Sequence, residues 1–260
     1  MRKKNKVFRT AAFFMLAGLI IMVLVMNAYD WDFRKLSTVE YRTRTYEIRE
    51  DFSGIEIYAD TTDLIMQPSE YGMCRVEILE TETVYHKVTV ENGTLTIRKE
   101  DERNWRDHIG ISAESFKISI FLPKSEFMSI SVRESTGDIT LQNLSVGTLE
   151  IKVSTGDTLL ENLTCKTLLS TGSTGDITLK NVLCAGKMDL TRSTGDIIFE
   201  NADAGEITVQ TGTGSVKGSL LTGKEFHALT TTGKIELPPS IPGGKCKIIT
   251  TTGIIKITLK

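Results

Sequence analysis

Ser135-Thr136-Gly137-Asp138, Ser154-Thr155-Gly156-Asp157, Ser173-Thr174-Gly175-Asp176 and Ser193-Thr194-Gly195-Asp196 are four copies of one phrase. Further along, the phrase shortens to Thr213-Gly214, Thr232-Gly233 and Thr252-Gly253. From glycine to glycine the intervals are 19, 19, 20, 19, 19 and 20 residues, a fixed period that marks stacked structural repeats. Apolar residues return at set offsets after each glycine: Ile139, Leu141, Leu144, Val146, Leu149 and Ile151 in the first unit, and Ala202, Ala204, Ile207 and Val209 in the second half of the fourth. Alternation of this kind, broken by Gly or Asn, describes two or three short strands per unit, each turning one face inward. A unit so short cannot bury that face alone, so units must stack in parallel ladders about 4.8 Å apart. The predicted fold class is all-β: a single-stranded β-helix (solenoid) with 19–20-residue coils.

Asn143, Asn162, Asn181 and Asn201 share one position in the first four units. Asn tolerates the left-handed backbone of a corner, and stacked amides can bond along the axis, so these residues are read as a structural ladder. Two of them also match the glycosylation sequon, which the ladder explains without sugar. Before the regular repeat, 52–133 is β-rich without a clean period. Ile55-Glu56-Ile57 and Asp63-Leu64-Ile65-Met66 suggest a first irregular coil. Val88-Thr89-Val90 and Leu95-Thr96-Ile97 flank Asn92-Gly93, the signature of a tight hairpin. The polar stretch Lys99 to His108 reads as an exposed loop.

At the N-terminus, Arg2, Lys3, Lys4, Lys6 and Arg9 precede an uncharged run from Ala11 to Ala28. As a helix that run reaches about 27 Å, close to the hydrocarbon thickness of a bilayer. Basic residues on its N-terminal side predict a cytoplasmic N-terminus, with everything after Tyr29 outside. The run is longer than the apolar core of a signal peptide, which favours a retained anchor over a cleaved one. The expected organisation is 1–28, a cytoplasmic basic tip and transmembrane signal anchor; 29–51, a juxtamembrane spacer; and 52–260, a β-solenoid with irregular capping coils over 52–133 and regular repeats over 134–260. The last unit stops in mid-strand at Lys260. An uncapped parallel edge there would invite self-association.

A net charge of −2 provides no basic field of the kind nucleic-acid binders use, so nucleic acid is not an expected partner. The sharpest chemical candidate is the acidic line Asp138, Asp157, Asp176 and Asp196. Like charges one strand apart repel by roughly 0.9 kcal/mol even in water, so something must offset them. A Ca²⁺ ladder on those four residues is one reading. The other has each Asp accepting N–H bonds within its own turn. It is preferred because the acidic line lapses to Ser215, Lys234 and Ile254 while the turn persists. Cys165 and Cys184 share one inward offset in adjacent coils; buried thiols are favoured over a disulfide. Cys74 and Cys246 have no evident partner, and His86, His108 and His227 are scattered, so no zinc site is expected. Outward positions such as Thr140, Lys152, Thr178, Lys180 and Thr208 hold no convergent carboxylates of the kind a glycosidase needs. The predicted catalytic, cofactor-binding and metal residues are therefore none.

The order of parts is similar to that of the bacterial putative-adhesin family of β-strand-repeat domains: an N-terminal anchor, a strand ending in Leu122-Pro123-Lys124, then repeated Ser-Thr-Gly-Asp-Ile turns. The resemblance covers about 52–260. It implies a membrane-anchored extracytoplasmic domain with no catalytic residues to carry over, and some relatives accompany cell-envelope stress systems. It implies fold and location more than function; flat, Thr-rich solenoid faces suit repetitive ligands, and two functions are expected. One is a non-catalytic adhesin or cell-wall-contacting module whose partner is a wall polymer or surface protein; the other is a stress-response accessory that binds a membrane partner.

Overall fold

Inward aliphatic residues alternating with outward polar ones make strands of most of the chain beyond residue 41. The structure, a computed structural model, describes residues 2–32, 40–70, 72–104, 116–123 and 126–260. Trp105, His108 and Lys124 lie outside the described residues. The chain divides into two units, one of residues 1–40 with 103–115 and one of 41–102 with 116–260.

The first unit contains helix α1 (Arg2–Ala28). Within it Phe8–Ala28 has a mean hydropathy of 2.4 and is long and apolar enough to cross a membrane. Its large side chains, Phe13, Phe14, Leu16 and Leu24 among them, are exposed, so no protein core accounts for their apolarity.

The second unit is a single all-β, solenoid-like stack. Its strands in chain order are β1 (Arg42–Ile48), β2 (Gly54–Tyr58), β3 (Thr62–Pro68), β4 (Cys74–Glu80), β5 (Val84–Glu91), β6 (Thr94–Asp101), β7 (Phe116–Leu122), β8 (Glu126–Thr136) and β9 (Ile139–Gln142). Then follow β10 (Ser145–Thr155), β11 (Thr158–Thr174), β12 (Ile177–Thr194), β13 (Ile197–Thr213), β14 (Val216–Leu220), β15 (Lys224–Thr232), β16 (Ile235–Glu236), β17 (Gly244–Thr252) and β18 (Ile255–Leu259). Parallel pairing sets equivalent repeat positions side by side: Leu149 faces Ile130 and Leu168, and Leu190 faces Ser170 and Val209. Every apolar offset named from the sequence is buried, from Ile139, Leu141, Leu144 and Val146 to Ala204, Ile207 and Val209. One inward position escaped the offsets; it is Val153 in the first unit and Arg192 in the third.

Stacking order departs from sequence order at both ends. β17 enters between β13 and β15, pairing Thr213 with Thr252 and Thr252 with Thr232, and β18 likewise lies between β14 and β16. Pro238, Pro239 and Pro242 precede this return; without N–H groups they cannot extend a ladder, so the chain leaves the stack before re-entering it. At Gly244 a β-carbon would stand 1.9 Å from the Gly205 carbonyl oxygen, so only glycine lets β17 come in so close. At the other end β2 sits between β6 and β8, and β3 between β7 and β9. Antiparallel strands then cover that end: β5 on β6, β4 on β7 and β1 on β4. The β5–β6 turn has Asn92 and Gly93 at φ 51° and 72°, as the Asn-Gly pair predicts.

Three expectations change. The strand ending at Leu259 is internal, so the parallel edge at that end is formed by β15 and β16, not by the last residues. Part of the 29–51 spacer is strand, since Arg42–Ile48 pairs with Glu80–Cys74. Lys99, Glu100 and Asp101 belong to β6, held by His86, Tyr85 and Val84 of β5, so the stretch read as a loop begins later than its polarity suggests.

Candidate functional site

The Ser-Thr-Gly-Asp corner is built by its glycines. Gly156 has φ 139°, and a β-carbon there would lie 2.0 Å from the Gly137 carbonyl oxygen; the same contact recurs at Gly175 on Gly156, at 2.1 Å. Glycine is thus required by the coil beneath it, which is why it persists after the aspartates lapse.

The aspartates bond along the axis. The Asp157 N–H donates to Asp138 Oδ1 at 2.9 Å, Asp176 to Asp157 at 2.7 Å, Asp196 to Asp176 at 2.7 Å, and Ser215 to Asp196 at 2.7 Å. Donors therefore come from the next coil, where the sequence suggested the residue's own turn. Asp63 begins the series by accepting from the Asp138 N–H at 3.1 Å. Its signal was present in Asp63-Leu64-Ile65-Met66, which copies the pattern Asp138-Ile139-Thr140-Leu141. Among the described residues no group of three or more His, Cys, Asp or Glu is gathered to hold a metal ion. At another corner Asn143, Asn162, Asn181 and Asn201 have φ of 55°, 53°, 52° and 58°. The side-chain amides of Asn162, Asn181 and Asn201 each donate to the side-chain carbonyl of the previous Asn, at 3.0, 2.9 and 3.1 Å, as a structural ladder requires.

Beside the Asp line stand Thr61, Thr136, Thr155, Thr174, Thr194, Thr213, Thr252 and Thr232, one exposed column in that stacking order. An open groove of about 500 Å³ flanks it, lined by Tyr58, Arg133, Ser135, Lys152, Ser154, Thr171 and Ser173. Arg98, Tyr58, Arg133 and Lys152 occupy one outward position on four successive strands. Tyr58 is held between two guanidiniums, 4.2 Å from Arg98 and 5.5 Å from Arg133. The alignment depends on β2 lying between β6 and β8, so no reading of the sequence order could find it.

Several ionisable groups point inward. Glu134 is buried, and burial, against the lowering effect of the Thr62 backbone N–H and with Asp63, Asp138 and Asp60 adding to it, pushes it up to about 8. Arg192 fills the interior beside Gly172, donating to the Thr191 carbonyl at 3.0 Å, Thr158 Oγ1 at 3.0 Å and Ser170 Oγ at 3.3 Å; burial lowers it to about 10. Near the covered end Glu80 touches His86 Nδ1 at 3.3 Å and Arg44 Nε at 3.1 Å, and burial lowers His86 to about 4. His227 lies 3.5 Å from Glu225 on the surface. Cys165 and Cys184, paired in register with Cα atoms 4.7 Å apart, are joined by a disulfide, which replaces the favoured buried-thiol reading. Cys74 and Cys246 are free and buried, and burial pushes both thiols up to about 12.

An all-β stack with regular exposed ladders, on a chain with an apolar N-terminal helix, defines a class of solenoid-like repeat protein. The chain belongs to the Toastrack DUF4097 family, a domain of unknown function, whose model matches residues 52–259. Among solved structures it is similar to a putative adhesin from Bacteroides fragilis, with 20% identity, a TM-score of 0.55, and 84% of this chain and 97% of that one covered. A putative adhesin from Parabacteroides merdae is also similar, at 16% identity and a TM-score of 0.48 over 85% of this chain and 98% of that one. A putative lipid binding protein from Parabacteroides distasonis shares 13% identity, with a TM-score of 0.47 over 85% and 98%. None of the curated proteins matches the chain. At 20% identity the likeness to the Bacteroides fragilis structure extends to the fold alone.

Proposed function

We propose that this chain is a non-catalytic, membrane-anchored binding module: a β-helix of 19–20-residue coils, held outside the cytoplasm by α1, that contacts cell-wall polymer as an adhesin does. The observation that carries the reading is the exposed column of eight aligned threonines beside the open groove. A ladder of fixed hydroxyls at strand spacing offers the same contact at every rung, which suits a repeating ligand. Arg2, Lys3, Lys4, Lys6 and Arg9 support a cytoplasmic N-terminus. The non-catalytic part is supported by the dispersal of the inward ionisable groups: Glu134 stands in the wall of the groove, while Arg192, Glu80 and His86 are not among its lining residues. In the test, full-length chain in detergent micelles is incubated with isolated cell wall and sedimented. Co-sedimentation that survives washing supports the reading, and its absence overturns it.

The exposed apolar length of α1 favours a second reading, an accessory of a cell-envelope stress system that binds a membrane partner through that helix. Crosslinking in membranes separates the two: one enriched membrane protein, with no wall binding, selects the accessory.

A further inference from the structure

We infer that the basic end of the grooved face binds a linear polyanion bearing repeated phosphate groups, laid along the stacking axis. The inference rests on the wall-contact reading and names the chemistry of its ligand.

The chain as a whole carries a net charge of −2, yet cations gather in single file here. Lys87 pairs with Arg98 across the β5–β6 hairpin, and the same outward position continues through Tyr58 to Arg133 and Lys152. Lys87, Arg98 and Arg133 are exposed, and among the described residues none has a carboxylate within ion-pair distance. Of the carboxylates close by, Glu150 pairs with Lys152 at 2.5 Å and Asp60 with Lys99 at 2.8 Å, while Glu56, bonded only to the neutral Tyr58 hydroxyl at 2.9 Å, keeps its charge and offsets one of the three cations Lys87, Arg98 and Arg133. Positive charge is therefore left over along the file.

The strands fix the spacing of these charges. Arg98 and Arg133 stand two rungs apart, about 10 Å between backbones, with the Tyr58 ring restraining both guanidiniums. A guanidinium presents paired N–H donors that match two oxygens of one phosphate, a geometry an ammonium lacks. Ser135, Ser154 and Ser173 line the adjoining groove and can hydrogen-bond the hydroxyls of a sugar or polyol backbone. A narrow file beside a hydroxyl-lined groove matches a chain, whereas a bilayer would meet a broad basic plane. With three phosphate contacts the binding constant should fall by about two powers of ten for each tenfold rise in salt.

The test titrates full-length chain in neutral detergent with fluorescent linear polyphosphate, with neutral dextran and phosphatidylglycerol vesicles as comparison probes. We expect polyphosphate to bind with that salt dependence and dextran not to bind. The pair Arg98→Gln with Arg133→Gln should weaken polyphosphate binding about tenfold or more, while Lys245→Gln with Lys247→Gln, an equal charge change elsewhere, stays within about twofold. Arg98→Lys with Arg133→Lys keeps the charge and loses the fork, so it should fall between; circular dichroism melts confirm that each variant is folded. Absence of polyphosphate binding overturns the inference, as do equal losses in the Arg and Lys pairs or binding to vesicles alone. If isolated wall binds wild type and the Arg pair equally, the inference fails and the wall-contact reading stands. If polyphosphate binds through the arginines while isolated wall is ignored, the site stands and the wall-contact reading fails.

Discussion

Thr213 pairs in register with Thr252 and not with Thr232, the next copy of its phrase along the chain. The last strand pair is thus an insert with neighbours on both sides, and the copy before it forms the edge. Amides of β17 should therefore exchange with solvent more slowly than those of β15, although β17 lies closer to the C-terminus, where fraying is the usual expectation. Hydrogen exchange read by mass spectrometry measures this directly. Faster exchange in Gly244–Thr252 than in Lys224–Thr232 would contradict the stacking order.

Asp157 accepts from the Asp176 N–H while its own N–H is held by Asp138. Replacing it by alanine leaves one N–H without its acceptor and should cost about 1–2 kcal/mol, seen as a lower Tm. Asp157→Asn retains an acceptor oxygen and relieves repulsion between stacked charges, so its Tm should stay near that of wild type. Adding calcium during the same melts should move none of them. A calcium-dependent rise that disappears in Asp157→Asn would restore the metal reading of Asp138, Asp157, Asp176 and Asp196.

What could be read from the chain follows from how locally each feature is encoded. The inward residues from Ile139 to Val209, the Asn corner and the β5–β6 hairpin all arise from short patterns, and all stand in the structure. The exchange of order at the two ends is long-range and leaves only indirect traces: three prolines before β17, and a polar stretch of sequence between β6 and β7. The file through Arg98, Tyr58 and Arg133 depends on that exchange, so it was hidden. Glu134 and Arg192 carry no local sign of burial, because a charged side chain beside Ser-Thr-Gly is ordinarily solvated. Gly172 was the clue for Arg192, since a glycine at an inward position leaves room for a neighbour's long side chain. For Cys165 and Cys184 the register was legible and the bond was not, because stacked inward positions suit thiols and disulfides alike.

Asn162 both accepts from and donates to its neighbours in the ladder, at 2.9 and 3.0 Å, with its backbone at φ 53°. Asn162→Ala removes two amide bonds and puts a residue without local side-chain bonding into left-handed backbone. A loss of about 2–3 kcal/mol follows. Asn162→Gly removes the bonds but suits the backbone, so it should lose less. Urea melts of the three proteins rank them, and equal losses for alanine and glycine would show that φ contributes nothing at this corner.

The buried carboxyl of Glu134 gives stability a specific pH dependence. Its ordinary value is 4.5 and burial raises it to about 8, so the native state keeps a proton that the unfolded chain releases. Stability is then complete below pH 4.5 and falls as pH rises through 8, by an amount of the order of a few kcal/mol. Glu80, also raised by burial, acts in the same direction. His86 acts oppositely: lowered from 6.5 to about 4, it stabilises fully above 6.5 and less as pH falls toward 4. The two effects oppose each other between pH 4.5 and 6.5, which leaves pH 6.5 to 8 as the window where Glu134 acts without His86. There the Tm of wild type should drop with rising pH, and that of Glu134→Gln should drop distinctly less. In the Glu134→Gln background the decline toward acid should steepen, and adding His86→Gln should make it shallower again. Parallel wild-type and Glu134→Gln curves across pH 6.5 to 8 would mean that Glu134 is ionised in the folded protein.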